Sequence, residues 1–191
     1  MQIYPMFKRL LDVALSMVAM LALLPLWLLV ALLVRLSSPG PVLYKQRRTG
    51  RHGKEFMLYK FRSMVVNADQ LGPLSTQLHD PRITPLGRIL RRTGLDELPQ
   101  LLNVIAGDMS LIGPRPNTPS QEPTYPSEVW EKRHHVRPGI TGLAQVSGRS
   151  NLTSEQQSTY DLDYVNRLGF WLDFHILWKT LLVVLSGRGA N

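Results

Sequence analysis

No cysteine occurs in the sequence, which excludes a disulfide framework and any thiolate metal site and fits a reducing, cytosolic setting. Histidine is sparse and poorly spaced for a metal. His52, His79, His134, His135 and His175 form no HExxH or comparable ligand pattern, so no structural zinc is expected. A GxSxG elbow, a Walker A loop and a GxGxxG fingerprint are also missing, as are internal repeats and low-complexity tracts. Acidic residues are outnumbered, with 14 Asp and Glu against 22 Lys and Arg and a formal charge of +8. That balance points to an anionic partner, whether phosphorylated substrate, anionic lipid or nucleic acid. No recognised nucleic-acid motif accompanies the charge. The 191 residues suffice for one domain with a substantial core.

What is present begins with an uncharged, mostly apolar run from Val13 to Val34, on the order of the ~20 residues that a membrane span requires. It is longer than the apolar core of a secretory signal, about 7–15 residues, and it passes into a basic stretch without a convincing cleavage site. Pro25 lies near its middle and cannot donate to the carbonyl of Leu21. Both flanks are basic: Lys8 and Arg9 before, then Arg35, Lys45, Arg47, Arg48, Arg51 and Lys54 after. Positive charge favours the cytoplasmic side. Both ends can therefore be cytoplasmic if the chain dips into one leaflet, breaks at Pro25 and returns. Each arm would reach ~18 Å, roughly one leaflet. A conventional span with its C-terminus inside is the alternative.

The remaining chain reads as short elements. VLYKQ and EFMLYKFRSM are expected to be strands joined by the basic turn Arg48–Gly53. Asn67 to Asp80 is expected to be loop after a helical turn. ITPLGRILRRTG predicts an amphipathic helix ending near Gly94, and LPQLLNVIAGD predicts another, with Pro99 in its first turn and Gly107 at its end. The proline-rich stretch Asn117 to Ser127 predicts loop, and Ser127 to His135 predicts helix. RPGITGLAQVSGR is turn-rich with at most a short strand. Helices are expected over 154–166 and 170–185. In the last, Trp171, Phe174, Trp178, Leu181 and Leu185 share a face, with Asp173 and Lys179 elsewhere. That face suits either a core or a membrane interface. The expected class is helix-rich α+β, with interfacial amphipathic helices accompanying the membrane segment.

Asp96-Glu97-Leu98-Pro99 places two carboxylates before a helix. Such pairs often only complement a helix dipole. Here Arg88, Arg91 and Arg92 stand upstream, Arg115 follows in Gly113-Pro114-Arg115-Pro116, Lys60 and Arg62 sit in YKFRSM, and Arg137 and Arg149 flank a Gly-rich stretch. Arginine forks and backbone N–H groups in Gly-rich turns suit phosphate. Carboxylates alone would repel it. A Mg²⁺ ion bridging them to phosphate oxygens resolves the conflict, leaving one carboxylate to attack phosphorus while the other holds the ion.

YKFRSM (59–64), LDELPQLLNVIAGDMSLIGPRP (95–116), VRPGITGLAQVSGR (136–149) and YDLDYV (160–165) resemble, in content and order, the motifs of bacterial sugar transferases. These are the monotopic polyprenyl-phosphate phosphoglycosyl transferases that initiate surface glycan and glycoprotein assembly. The resemblance covers essentially the whole chain. It implies a re-entrant membrane segment over 1–36 and a cytoplasmic catalytic domain over 37–191 at the bacterial inner membrane, interacting with phospholipid. It further implies transfer of sugar phosphate from a UDP-sugar to undecaprenyl phosphate with release of UMP.

By resemblance Asp96 is the nucleophile, Glu97 the Mg²⁺-associated carboxylate and Arg91 a cation placed to meet phosphate. Lys60, Arg115, Arg137, Arg149 and Asp161 match further polar positions of the active-site region. Many relatives carry Ser-Pro at the helix break, where this sequence has Leu24-Pro25. Larger relatives carry a multi-span domain ahead of this unit, and the chain resembles the minimal catalytic form. Two other readings stay open, a non-catalytic basic membrane adaptor and a nucleotide-sugar pyrophosphatase. The sugar and any pairing with a second copy of the chain are not legible.

Overall fold

The computed structural model describes residues 3–72, 80–148 and 152–185. The apolar run forms helix α1 (Ile3–Ala22) and helix α2 (Leu24–Ser37), bent by 65° at the break. Leu23 donates back to Ala19 at 2.9 Å and accepts from Trp27 at 2.8 Å. Pro25 therefore does not interrupt one helix but sits in the first turn of the second, where its missing N–H costs no hydrogen bond. Among the described residues no single helix is long and apolar enough to cross a membrane. The bent pair qualifies jointly by length and composition.

α1 is amphipathic, and its polar side is the one packed inward. Lys8 donates to Asp173 at 2.6 Å and Tyr4 to the same carboxylate at 2.5 Å, while Asp12 accepts from the Leu111 amide. Arg9 donates to the carbonyls of Val104 and Ile105. Apolar side chains such as Met6, Leu10, Val18, Leu21, Leu28, Leu32 and Leu36 remain largely exposed. One stripe of α2 does pack inward, burying Val30 and Val34 with Phe61 and Leu90 and setting Trp27 edge-on to Phe61 at 5.2 Å.

Strands β1 (Leu43–Thr49) and β2 (Glu55–Phe61) pair antiparallel from Leu43↔Phe61 to Thr49↔Glu55, the expected hairpin. Arg48 and Thr49, expected in the turn, instead continue β1, because their pairing with Phe56 and Glu55 extends the ladder. The turn between the strands places His52 and Gly53 at positive φ. Helix α3 (Pro85–Thr93) is capped by the Thr84 hydroxyl, which accepts from Gly87 N–H at 2.9 Å, and ends on left-handed Gly94. Helix α4 (Gln100–Ala106) follows Pro99 and ends on left-handed Gly107. Fully buried Asn103 joins α4 to β2, its amide donating to Met57 O at 2.7 Å and its carbonyl accepting from Tyr59 N–H at 3.1 Å. Around that stitch Phe56, Leu58, Val104 and Met109 form a second cluster.

A parallel pair was not foreseen. Strand β3 (Ser110–Ile112) aligns with strand β4 (Gly139–Thr141), in register Ser110↔Gly139 and Ile112↔Thr141. Each is three residues long, too short to show a period, and the pairing is purely long-range. The glycines of GPRP and RPGITG permit it. A Cβ on Gly139 would lie 2.1 Å from Gly113 N, and one on Gly142 would lie 2.2 Å from Gly113 O.

The proline-rich stretch, expected to be loop, contains a 3-10 helix over Pro119–Thr124 opened by a Thr118–Gln121 capping box. Prolines fit its first turn and its tight φ. Helix α5 (Ser127–Arg133) follows, and a short helix, α6 (Leu143–Ser147), occupies part of the expected turn region. Helices α7 (Ser154–Asn166) and α8 (Phe170–Leu185) match expectation. α8 turns Asp173 and Ile176 inward and leaves Trp171 78% and Trp178 53% exposed. The aromatic face is thus not a core face. Of the predicted 67–80 loop, the described part shows a single helical turn over Ala68–Gln70.

Candidate active site

Asp96 and Glu97 lie in a 3-10 turn, Leu95–Glu97, between the left-handed stop of α3 at Gly94 and the start of α4. Two short helices thus hold the pair from either side. β2 brings Lys60 to Glu97 Oε1 at 2.7 Å, and the Gly113–Pro116 loop brings Arg115 to the same oxygen at 2.9 Å. The cation from YKFRSM, the carboxylate pair and the arginine of GPRP therefore converge on one point.

The two carboxylates differ sharply in environment. Burial alone would push Glu97 up, but Arg115 and Lys60, through charge and hydrogen bonds, overturn that and hold it well below the usual carboxylate range. Asp96 is 6% exposed and has no side-chain hydrogen bond or ion pair among the described residues. Burial raises its pKa, assisted by the Glu97 charge and opposed by Lys60, Arg91 and Arg115. Lys60 is pushed down by burial, with Glu97 pulling the other way. Glu97 is thus a fixed anion and Asp96 a more basic, uncommitted one.

Arg91 stands on α3 with its Nε on Ser63 Oγ at 2.9 Å and is attracted to Asp96. Arg48, read from the sequence only as part of the basic flank and turn, lines a small open cleft with Leu58, Lys60, Gln100, Arg115 and Pro116. Its Nη1 donates to Pro116 O at 2.8 Å and its Nη2 to Gln46 Oε1 at 2.5 Å. Burial, with Arg115 nearby, lowers its pKa to about 10. Only the register, which extends β1 through Arg48, puts it on the same face of the hairpin as Lys60.

Other predicted site residues lie elsewhere. Arg62 spends its guanidinium on the exit of α2, donating to Val34 O, Ser38 O and Pro39 O. Arg137 donates to Gly107 O at 2.8 Å, at the opposite end of α4 from the acidic pair. Asp161 is buried in an ion pair with Arg133 at 2.5 Å. Arg149 lies outside the described residues.

No group of three or more His, Cys, Asp or Glu side chains gathers among the described residues. Two adjacent carboxylates nevertheless suit Mg²⁺, which is commonly held by one or two carboxylates with phosphate oxygens and water. Glu97 Oε2 and both Asp96 oxygens have no protein hydrogen bond among the described residues, so the donor set fits.

A model of the family described as "Bacterial sugar transferase" matches residues 3–187. A UDP-glucose:undecaprenyl-phosphate glucose-1-phosphate transferase of Xanthomonas campestris pv. campestris is 44% identical over 191 residues, covering 96% of this chain and 40% of the relative. A UDP-N-acetylgalactosamine-undecaprenyl-phosphate N-acetylgalactosaminephosphotransferase of Aeromonas hydrophila is 40% identical over 194 residues, covering 99% of this chain and 46% of the relative. The chain thus spans less than half of those two proteins. It spans 97% of an exopolysaccharide production protein PSS of Rhizobium leguminosarum bv. phaseoli, with 43% identity over 194 residues. With almost its whole length matched, from the bent helices through the acidic turn to α8, the chain belongs to the bacterial sugar transferase family.

Proposed function

We propose that the chain transfers sugar 1-phosphate from a UDP-sugar to undecaprenyl phosphate, releasing UMP, through a phosphosugar carried on Asp96. The carrying observation is the asymmetry of the pair. Glu97 is neutralised by Lys60 and Arg115, whereas Asp96 is buried, raised in basicity and unpartnered among the described residues. An uncommitted carboxylate in a cationic, partly desolvated site is suited to nucleophilic attack.

An Asp96 carboxylate oxygen attacks the sugar-bearing phosphorus, and the phosphoanhydride bond to the nucleotide breaks, so UMP departs with the electron pair. A phosphate oxygen of undecaprenyl phosphate then attacks the same phosphorus. The acyl-phosphate bond breaks, Asp96 is restored as carboxylate, and polyprenyl-diphosphate-sugar leaves. Lys60 and Arg115 offset the charge gathered around phosphorus, and Arg91 adds a cation beside Asp96. Glu97 would hold Mg²⁺, which would supply Lewis-acid charge neutralisation on phosphate oxygens, leaving Asp96 free to attack.

The acceptor is lipid-borne, so the site must work at a bilayer surface. The bent α1–α2 pair is read as a re-entrant segment within 1–36, set in the inner membrane, with the catalytic domain over 37–191 on the cytoplasmic face. The exposed aromatic face of α8 lies in the phospholipid interface, where Trp is favoured.

Incubating the chain with a UDP-sugar and Mg²⁺, without acceptor, should release about one UMP per chain and add a sugar-phosphate mass. Asp96→Asn should abolish both. UMP release only when undecaprenyl phosphate is present would establish direct transfer instead. Free sugar phosphate without acceptor would indicate a pyrophosphatase.

A further inference from the structure

Arg115 owes its contact with Glu97 to a loop in which three successive carbonyls, Arg115 to Asn117, are taken. Arg133 Nη2 donates to Arg115 O at 3.2 Å, Arg48 Nη1 to Pro116 O at 2.8 Å, and Thr49 N–H to Asn117 O at 2.8 Å. Arg133 Nη1 also donates to the Asn117 side chain. Arg133 is 2% exposed, and its countercharge is Asp161, also 2% exposed. Tyr125 covers the guanidinium face at 5.2 Å. A buried pair of this kind is weak evidence of added stability, because desolvation offsets most of the attraction. Its geometry is better explained by what it holds.

We propose that Arg133, fixed by Asp161, is a positioning residue that acts through Arg115 on Glu97. Arg133 on α5 and Asp161 on α7 touch neither carboxylate of the acidic turn. They grip the backbone of Arg115 and the side chain of Asn117 while the Arg115 guanidinium reaches the other way to Glu97 Oε1. Asp161 is thereby a support at one remove rather than a substrate ligand. Lys60 reaches the same oxygen from β2 by an independent route, through the hairpin and Asn103. The link should therefore involve Arg115 and leave Lys60 unaffected.

The kinetic readout rests on the transferase reading, so an activity-free arm accompanies it. Arg133→Lys keeps the charge and the Asp161 pair but loses the fork. In the full-length chain, kcat/KM for UMP release from UDP-glucose or UDP-N-acetylgalactosamine is expected to fall ~10-fold in Arg133→Lys, one good charge-assisted contact's worth. In an Arg115→Met background the same change should cost less than ~2-fold, and in a Lys60→Met background again ~10-fold. A merely structural role would multiply equally into both backgrounds, and that result overturns the proposal.

Hydrogen exchange tests the same link without turnover. The Thr49 amide, closed onto Asn117 O, should exchange faster in Arg133→Lys while the Tyr59 amide, closed onto Asn103, does not. Unchanged Thr49 protection overturns the proposal even if the chain turns over neither nucleotide sugar. Inactive wild type with loosened Thr49 would instead fault the transferase reading. Should Arg133→Lys fail to fold, Arg133→Met with Asp161→Leu removes both charges together and is read the same way.

Discussion

At the scale of the residue, adjacent carboxylates acquire different chemistry from their neighbours. Glu97 meets two cations and stays ionised, while Asp96 meets none directly and is raised by burial. Nothing in the dipeptide distinguishes them; Lys60 and Arg115 do, and they come from elsewhere in the chain. Asp161 gives the same lesson with a measurable consequence. Burial lifts it to about 6 despite Arg133 beside it. A carboxyl raised in the folded state binds its proton more tightly there than in the unfolded chain. That stabilisation is complete below the unfolded value and is lost as pH rises through about 6. The folded stability of wild type relative to Asp161→Asn should therefore decline between about pH 4 and pH 7, by at most ~3 kcal/mol. Paired denaturant melts at the two pH values measure it, and a constant difference would place the carboxyl's pKa near its ordinary value.

At the scale of the element, Pro25 separates α1 from α2 without stranding a donor, and Leu23 supplies the hydrogen bonds on either side. No serine precedes Pro25, so the break depends on proline and on packing of Val30 and Val34. Pro25→Ala restores an N–H and a strong helix former, a swing of up to ~3 kcal/mol toward a continuous helix where packing allows. In the re-entrant reading, straightening would carry the N-terminal turns across the bilayer. The native chain has no cysteine, so Met6→Cys is a clean reporter. It should label with an impermeant maleimide from the cytoplasmic side in the parent and lose that labelling when Pro25→Ala is added. Cytoplasmic labelling retained in both would show that packing alone holds the break.

At the scale of the whole molecule, two features join distant segments. Asp173 on α8 receives Lys8 and Tyr4 from α1 and Tyr164 from α7, tying the first arm of the apolar pair to the C-terminal helices. The second is the close backbone crossing of Gly113 and Gly139, which sets β3 against β4 and aims the Arg115 loop. Gly139→Ala would force a Cβ to 2.1 Å from a backbone nitrogen, where no flexible side chain can yield. Overpacking of this kind costs about 1–3 kcal/mol or more. The melting temperature should fall by several degrees, with activity lost ahead of unfolding because Arg115 moves with the loop. Activity persisting at full strength in a destabilised protein would separate the crossing from the site.

The sequence by itself determined the broken apolar segment, the hairpin, the approximate limits of α3, α4, α7 and α8, and the adjacent carboxylates as a candidate phosphate site. Those features depend on local causes: apolar period, proline and glycine at helix ends, and charge next to charge. Tertiary structure alone decided that Lys60 and Arg115 share Glu97, that Arg48 joins their cleft, and that Arg62, Arg137 and Asp161 hold backbone or another side chain instead. It also decided that three-residue strands pair in parallel and that the aromatic face of α8 points outward. A guanidinium has the same charge at a phosphate site and at a helix end, and only the oxygen it reaches in the folded chain distinguishes the two. For Asp96 and Glu97, local sequence located the pair, and the folded neighbours gave each carboxylate its distinct ionisation.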